Sequence, residues 1–175
     1  MYNRKDSYYY KAKQEGYKSR AAYKIIELNQ KYKLIRKGDN ILDCGAAPGG
    51  WSQVALNLVG QAGRVVAVDY AEIMGINNPN FTFIQGDMKD EKIIEAVHAL
   101  GVYDTILTDM APKTTGIKVK DHVDSLELVQ IAFGLAERSL KPGGSFVAKI
   151  FDGEDRQAYI KQLEKRFKEV RTSRP

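Results

Sequence analysis

The sequence contains a single cysteine and only two histidines. Cys44 cannot close an internal disulfide, and His98 and His122 lie too far apart in sequence for a zinc-ligand spacing. A reducing, cytoplasmic setting and no metal are expected. No apolar run approaches the ~20 residues of a membrane-spanning helix, so no membrane association is expected. The start, Met1-Tyr2-Asn3-Arg4-Lys5-Asp6, lacks the apolar stretch of a secretory signal, so a soluble, unprocessed chain is expected. Internal repeats, low-complexity tracts and Pro/Gly stretches of linker length are absent too. So is the dinucleotide fingerprint G-x-G-x-x-G, which argues against a nicotinamide cofactor.

What is present fits one compact, monomeric domain over residues 1–175: the length is that of one domain, and 43% hydrophobic residues suffice for a core. A net charge of +5 and a pI near 9.1 suggest an anionic partner. Residues 1–30 read as a basic arm followed by a helix. Up to about Gly16 the arm is polar and tyrosine-rich without sustained periodicity. Ala21, Ala22, Ile25, Ile26 and Leu28 then supply one apolar helical face, with Ser19 as its N-cap.

From Asn40 onward, short apolar runs alternate with amphipathic segments. Ile41-Leu42, Val65-Val66-Ala67-Val68, Phe81-Thr82-Phe83-Ile84, Thr105-Ile106-Leu107 and Phe146-Val147-Ala148 read as strands. Helices are predicted over about 51–59, 91–100, 123–140 and 156–167, with turns at 77–80 and 141–144. Such alternation predicts an α/β, Rossmann-like doubly wound fold with a mostly parallel sheet.

Ligands of such sheets bind beyond the carboxyl ends of the strands. Gly45-Ala46-Ala47-Pro48-Gly49-Gly50 follows the first strand directly, and its small residues let the backbone approach a ligand just before a helix starts at about Trp51. Asp69 ends the second strand about 20 residues past the turn, where a carboxylate accepts from both ribose hydroxyls; a helix cap is the alternative. Asp87 ends the third strand and suits an adenine amino group, or else N-caps the following helix. Two such carboxylates without a phosphate-binding lysine fit adenosine without pyrophosphate. Cys44 reads as a small buried residue, and Trp51 as either a brace for the loop or a packing residue.

Two further strand ends carry charge. Lys149 terminates an apolar strand and is read as a proton acceptor, against the alternative of a lysine snorkelling to solvent. Asp109 ends the preceding strand and is placed to orient the Lys149 ammonium, or else initiates the turn at Met110-Ala111-Pro112. His98 and His122 read as surface or loop residues rather than catalytic ones.

The segments Tyr17-Lys18-Ser19-Arg20, Asp43-Cys44-Gly45-Ala46-Ala47-Pro48-Gly49-Gly50-Trp51, Thr108-Asp109-Met110-Ala111-Pro112 and Val147-Ala148-Lys149-Ile150-Phe151 occur in this order. Together they resemble the FtsJ/RrmJ family of S-adenosylmethionine-dependent RNA 2′-O-ribose methyltransferases, from about Tyr8 to Pro175. The resemblance implies S-adenosylmethionine as cofactor, with Gly49, Trp51, Asp69, Asp87 and Asp109 at its binding positions. It also places Lys18 in the active site beside Asp109 and Lys149, although alone Lys18 reads as a solvated charge. The family pattern has a fourth member, a glutamate on a final strand beyond a Ser/Arg-rich segment. Arg171-Thr172-Ser173-Arg174-Pro175 stands where that segment begins, so the glutamate and the last strand are expected beyond Pro175. Glu154, Glu164 and Glu169 are not assigned to the role.

RNA contact is expected along the arm, where Lys5, Lys11, Lys13, Lys18, Arg20 and Lys24 interleave with Tyr8, Tyr9, Tyr10, Tyr17 and Tyr23. Lysines neutralise phosphates and tyrosines stack on unpaired bases. Lys113, Lys118 and Lys120 read as the opposite lip of the groove. Within the family, the small size resembles enzymes acting on a uridine of large-subunit ribosomal RNA. Transfer RNA or a messenger cap is the alternative substrate. A small-molecule methyltransferase and a non-catalytic ribosome-assembly factor are the alternative functions.

Overall fold

A computed structural model of the chain describes residues 7–112 and 115–174. Its strands form one five-stranded parallel sheet in the order β3-β2-β1-β4-β5: β1 Asn40–Cys44, β2 Arg64–Asp69, β3 Phe81–Gln85, β4 Tyr103–Thr108 and β5 Leu140–Ala148. Helices α1 Ser7–Gln14, α2 Ala22–Tyr32, α3 Gly50–Val59, α4 Glu91–Ala99, α5 Lys118–Ser139 and α6 Arg156–Glu164 complete it. The Rossmann-like expectation is met.

The central strands are apolar almost throughout because both sheet faces are covered. Leu42, Val66, Val68 and Ile106 point to one face, where Val97 of α4 and Ala132, Phe133, Leu135 and Ala136 of α5 meet them. Ile41, Val65 and Leu107 point to the other, against Ala22 and Ile25 of α2 and Val54, Ala55 and Val59 of α3. The period of two along each strand sends successive side chains to opposite layers. Cys44 is fully buried in the first layer, as expected, and burial holds its thiol far above the usual range.

Four expectations need correction. The arm contains a helix, α1, whose stability comes from docking rather than periodicity: Ala12 is buried, and the Tyr8 and Tyr17 rings each lie 5.7 Å from the Tyr23 ring. Ser19 does not cap α2. Ala21 occupies the cap position without a side-chain bond, and Ser19 instead sets its hydroxyl against Gly50. The helix after β3 is capped by Asp90, which accepts from the Lys92 N–H at 3.0 Å, while Asp87 accepts from the Lys89 N–H in the preceding turn. The turn at 141–144 lies within β5, where the pairing with β4 shifts register between Tyr103 and Thr105. Lys141 stays anchored there by its ion pair with Asp104 at 2.7 Å.

Candidate active site

The carboxyl ends of β1, β2 and β4 lie level, since Cys44 pairs with both Val68 and Thr108. The next residues, Gly45, Asp69 and Asp109, therefore emerge along one edge. Lys149 joins them because Ala148 pairs with Thr108 and the Lys149 N–H continues the ladder to the Thr108 carbonyl at 3.0 Å.

The loop at 45–50 is packed from outside. Gly45 has φ +70°, and a Cβ there would stand 2.0 Å from Met110 Cγ. Gly49 has φ +106° at the N-cap of α3, with Ile73, Ile76 and the Lys18 chain around it. Both positions need glycine for backbone and for space. Trp51 braces and packs at once: it is 5% exposed within the α2–α3 layer, and its indole N–H donates to the Ala21 carbonyl at 2.8 Å. The bond ties the start of α2 to the loop.

Asp69 is buried, and its carboxylate accepts from the Ala47 N–H and the Ala71 N–H, both at 2.8 Å. It therefore holds the loop and retains a second lone pair on each oxygen for a ligand. Asp87 is exposed on the adjoining strand end.

Asp109 is the centre of the charged cluster. Lys149 Nζ lies 2.9 Å from Asp109 Oδ1 and 2.9 Å from its backbone carbonyl. The second cation is Lys24, with Nζ 3.6 Å from the same Oδ1. Lys18, expected in that place, runs over Gly49 with its amine toward Gly75. Lys24 stands in the first turn of α2, and the Trp51–Ala21 bond fixes that turn against the loop, which aims Lys24 across the edge at β4. In the sequence it was one of several arm lysines, and nothing in composition singled it out.

Asp43 was also passed over as a site residue. It lies at the floor of the pocket formed with the 45–50 loop and Asp109, 1% exposed, and accepts from the Ser52 hydroxyl at 2.6 Å. Burial pushes its pKa up to about 7, the Ser52 bond opposes this, and the charges of Asp109 and Asp69 add to the rise. The available signal was its place beside a strand end ahead of a glycine loop, the logic that selected Asp69 and Asp109.

The residues suit an adenosyl-sulfonium ligand. The backbone loop is bare of bulky side chains, and Asp69 offers lone pairs at the end of β2. Asp109 Oδ1 is buried within ion-pair range of two amines yet accepts no well-directed hydrogen bond, so it has capacity for an entering donor.

On the tyrosine-rich arm, Tyr8 and Tyr10 are exposed by 57% and 60%, whereas Tyr17 and Tyr23 turn toward each other. Lys120 pairs with Asp124 and Lys118 is exposed at the start of α5. Lys5 and Lys113 lie outside the described residues. No helix among the described residues is long and apolar enough to cross a membrane, and no group of three or more His, Cys, Asp or Glu among them could hold a metal ion.

A parallel sheet in this order, with a small-residue loop and carboxylates along one strand edge, defines a Rossmann-like methyltransferase. The chain belongs to the FtsJ-like methyltransferase family, which matches residues 17–175. It is 45% identical over 174 residues to the ribosomal RNA large subunit methyltransferase E of Methanothermobacter thermautotrophicus, covering 98% of this chain and 82% of that protein. The same-named protein of Pseudomonas fluorescens is 46% identical over 174 residues, covering 97% and 82%. The crystal structure of a protein described as a ribosomal RNA methyltransferase from Plasmodium falciparum superposes with a TM-score of 0.80 at 32% identity, over 90% of this chain and 91% of that one.

Proposed function

We propose that the chain transfers a methyl group from S-adenosylmethionine to a ribose 2′-hydroxyl of RNA, with a uridine of large-subunit ribosomal RNA as the target. The observation that carries the reaction is Asp109 bracketed by Lys149 and Lys24 beside the small-residue loop. The substrate class is supported by the names of the relatives.

When bound, S-adenosylmethionine supplies a methyl group already activated on sulfonium. The chain then has to hold, align and deprotonate. The 45–50 loop and Trp51 shape the pocket, Asp69 accepts from the ribose hydroxyls, and Asp87 accepts from the adenine amino group. Asp109 accepts from the amino end of the methionine portion and orients Lys149. Asp109 Oδ1 has Lys24 as an ion-pair partner besides Lys149, which leaves it one cation when Lys149 serves the acceptor hydroxyl. Lys149 would take the proton of the 2′-hydroxyl that faces the methyl group, opposite its bond to sulfur. Alignment of the oxygen in line with that bond supplies much of the acceleration.

Lys24→Ala is expected to lower kcat roughly tenfold or more below that of Lys18→Ala, because Lys24 reaches the cluster and Lys18 does not. Single-turnover rates of the two variants check this; a larger loss in Lys18→Ala reverses the assignment.

RNA is held by the exposed Tyr8 and Tyr10 and the lysines of α1, with Lys118 across the edge. Affinity is expected to fall roughly tenfold or more between 50 and 200 mM salt, as for a few neutralised phosphates. Binding that ignores salt removes this surface from the account.

The substrate is tested by offering labelled S-adenosylmethionine with unmodified large-subunit RNA, the ribosomal particle and transfer RNA. Label in the large-subunit RNA or particle supports the proposal. Label in transfer RNA alone moves the substrate, and label on a small acceptor without RNA overturns the RNA reading.

A further inference from the structure

The chain leaves the sheet at Lys149 and has no regular secondary structure until α6. A lysine at the head of such a segment needs something to fix its direction. That support comes from α5, on the layer away from the pocket loop. Ser125, fully buried, accepts a hydrogen bond from the Phe151 N–H at 3.2 Å. His122, one turn earlier on the same helix face and 4% exposed, sets Nδ1 3.1 Å from the Phe151 carbonyl. Nδ1 must carry the ring proton, since a carbonyl only accepts. Both backbone polar groups of Phe151 are thus gripped by one helix. Its ring in turn lies under Lys149, with Nζ 5.8 Å from the centroid, within the range of a cation–π contact.

The His122 ring also lies flat against Gly153: a Cβ there would stand 2.1 Å from Cγ and 2.3 Å from Nδ1. Gly153 does not have a positive φ, so the neighbouring imidazole alone bars a side chain. His122 Nε2 is buried without a hydrogen-bond partner, 3.7 Å from Asp155 Oδ2 at the far end of the same segment.

We propose that His122 and Ser125 are positioning residues for methyl transfer: they clamp the backbone of Phe151 and Gly153 and so fix the Lys149 amine against Asp109. The inference rests on the reading of Lys149 as the group at the reacting hydroxyl. Displacement of such a group by about 1 Å costs up to roughly 100-fold in rate.

The test compares steady-state methylation and melting temperature in His122→Asn, His122→Leu, Ser125→Ala, Gly153→Ala and the double variant His122→Ala/Gly153→Ala. Asparagine can still donate to the Phe151 carbonyl, so His122→Asn should keep kcat within about threefold of the parent, whereas His122→Leu, Ser125→Ala and Gly153→Ala should lose roughly 10- to 100-fold. KM for S-adenosylmethionine should stay within about twofold in all of them, since the clamp does not touch the pocket loop. In the double variant the His122 donor is already gone and the added methyl group meets no ring, so kcat should match that of His122→Leu instead of falling by the product of the two single losses. Folded variants with unchanged kcat, equal losses in His122→Asn and His122→Leu, or a double variant whose loss is the product of the two single losses would overturn the clamp. Lys149→Ala in the same assay separates the two claims: if it is fully active, the reading of Lys149 fails; if it is inactive while the clamp variants are normal, only the clamp fails.

Discussion

Lys149→Ala is expected to lower kcat by about 10²–10⁴-fold, the span of a lost proton acceptor, with RNA affinity and cofactor affinity nearly unchanged. The side chain is 27% exposed and its amine lies on the carboxylate and the carbonyl of Asp109, so truncation removes the group aimed at the reacting edge without opening the core. A uniform rise in KM with kcat preserved would mean that Lys149 only binds. The pH dependence carries the same assignment further. A base at the reacting hydroxyl makes the single-turnover rate rise with pH. A flat profile with chemistry rate-limiting would leave alignment by permanently charged lysines as the mechanism.

Asp43→Asn is expected to be more stable than the parent at pH 8, by up to about 4 kcal/mol, with the gap closing toward pH 4. Burial raises the Asp43 pKa from 3.8 to about 7. Because the folded state holds this proton more tightly than the unfolded chain does, stability is full below pH 4, falls as pH rises through 7 and then levels off. Asparagine accepts the same Ser52 hydroxyl bond without the buried charge. Denaturant unfolding of both proteins at pH 5 and pH 8 checks it; a gap of equal size at the two pH values contradicts it.

The strand ends were legible because a parallel sheet buried on both faces turns apolar runs into strands and places their last polar residues at one edge. Asp69, Asp109 and Lys149 follow from that rule without tertiary detail. Lys24 does not. Its place beside Asp109, where Lys18 was expected, depends on how α2 docks on α3, through a bond from Trp51 to Ala21, and periodicity says nothing of such a contact. Helix α1 escaped for a related reason: its eight residues, five of them tyrosine or lysine, show no apolar stripe, and their order comes from the contact of the Tyr8 ring with Tyr23 and from the burial of Ala12. His122 was read as a surface or loop residue, yet it is buried, because the segment after β5 folds back over α5. Asp87 and Asp90 both suit a cap, and only the backbone path decides that Asp90 takes it.

The most direct test of the central claim is to incubate the protein with S-adenosylmethionine and unmodified large-subunit RNA, digest the RNA to nucleosides and identify the methylated one, with Lys149→Ala in parallel. The expected result is a 2′-O-methylated nucleoside that disappears in the variant. A methyl group on a base, or a ribose methylation that Lys149→Ala leaves intact, would contradict the account.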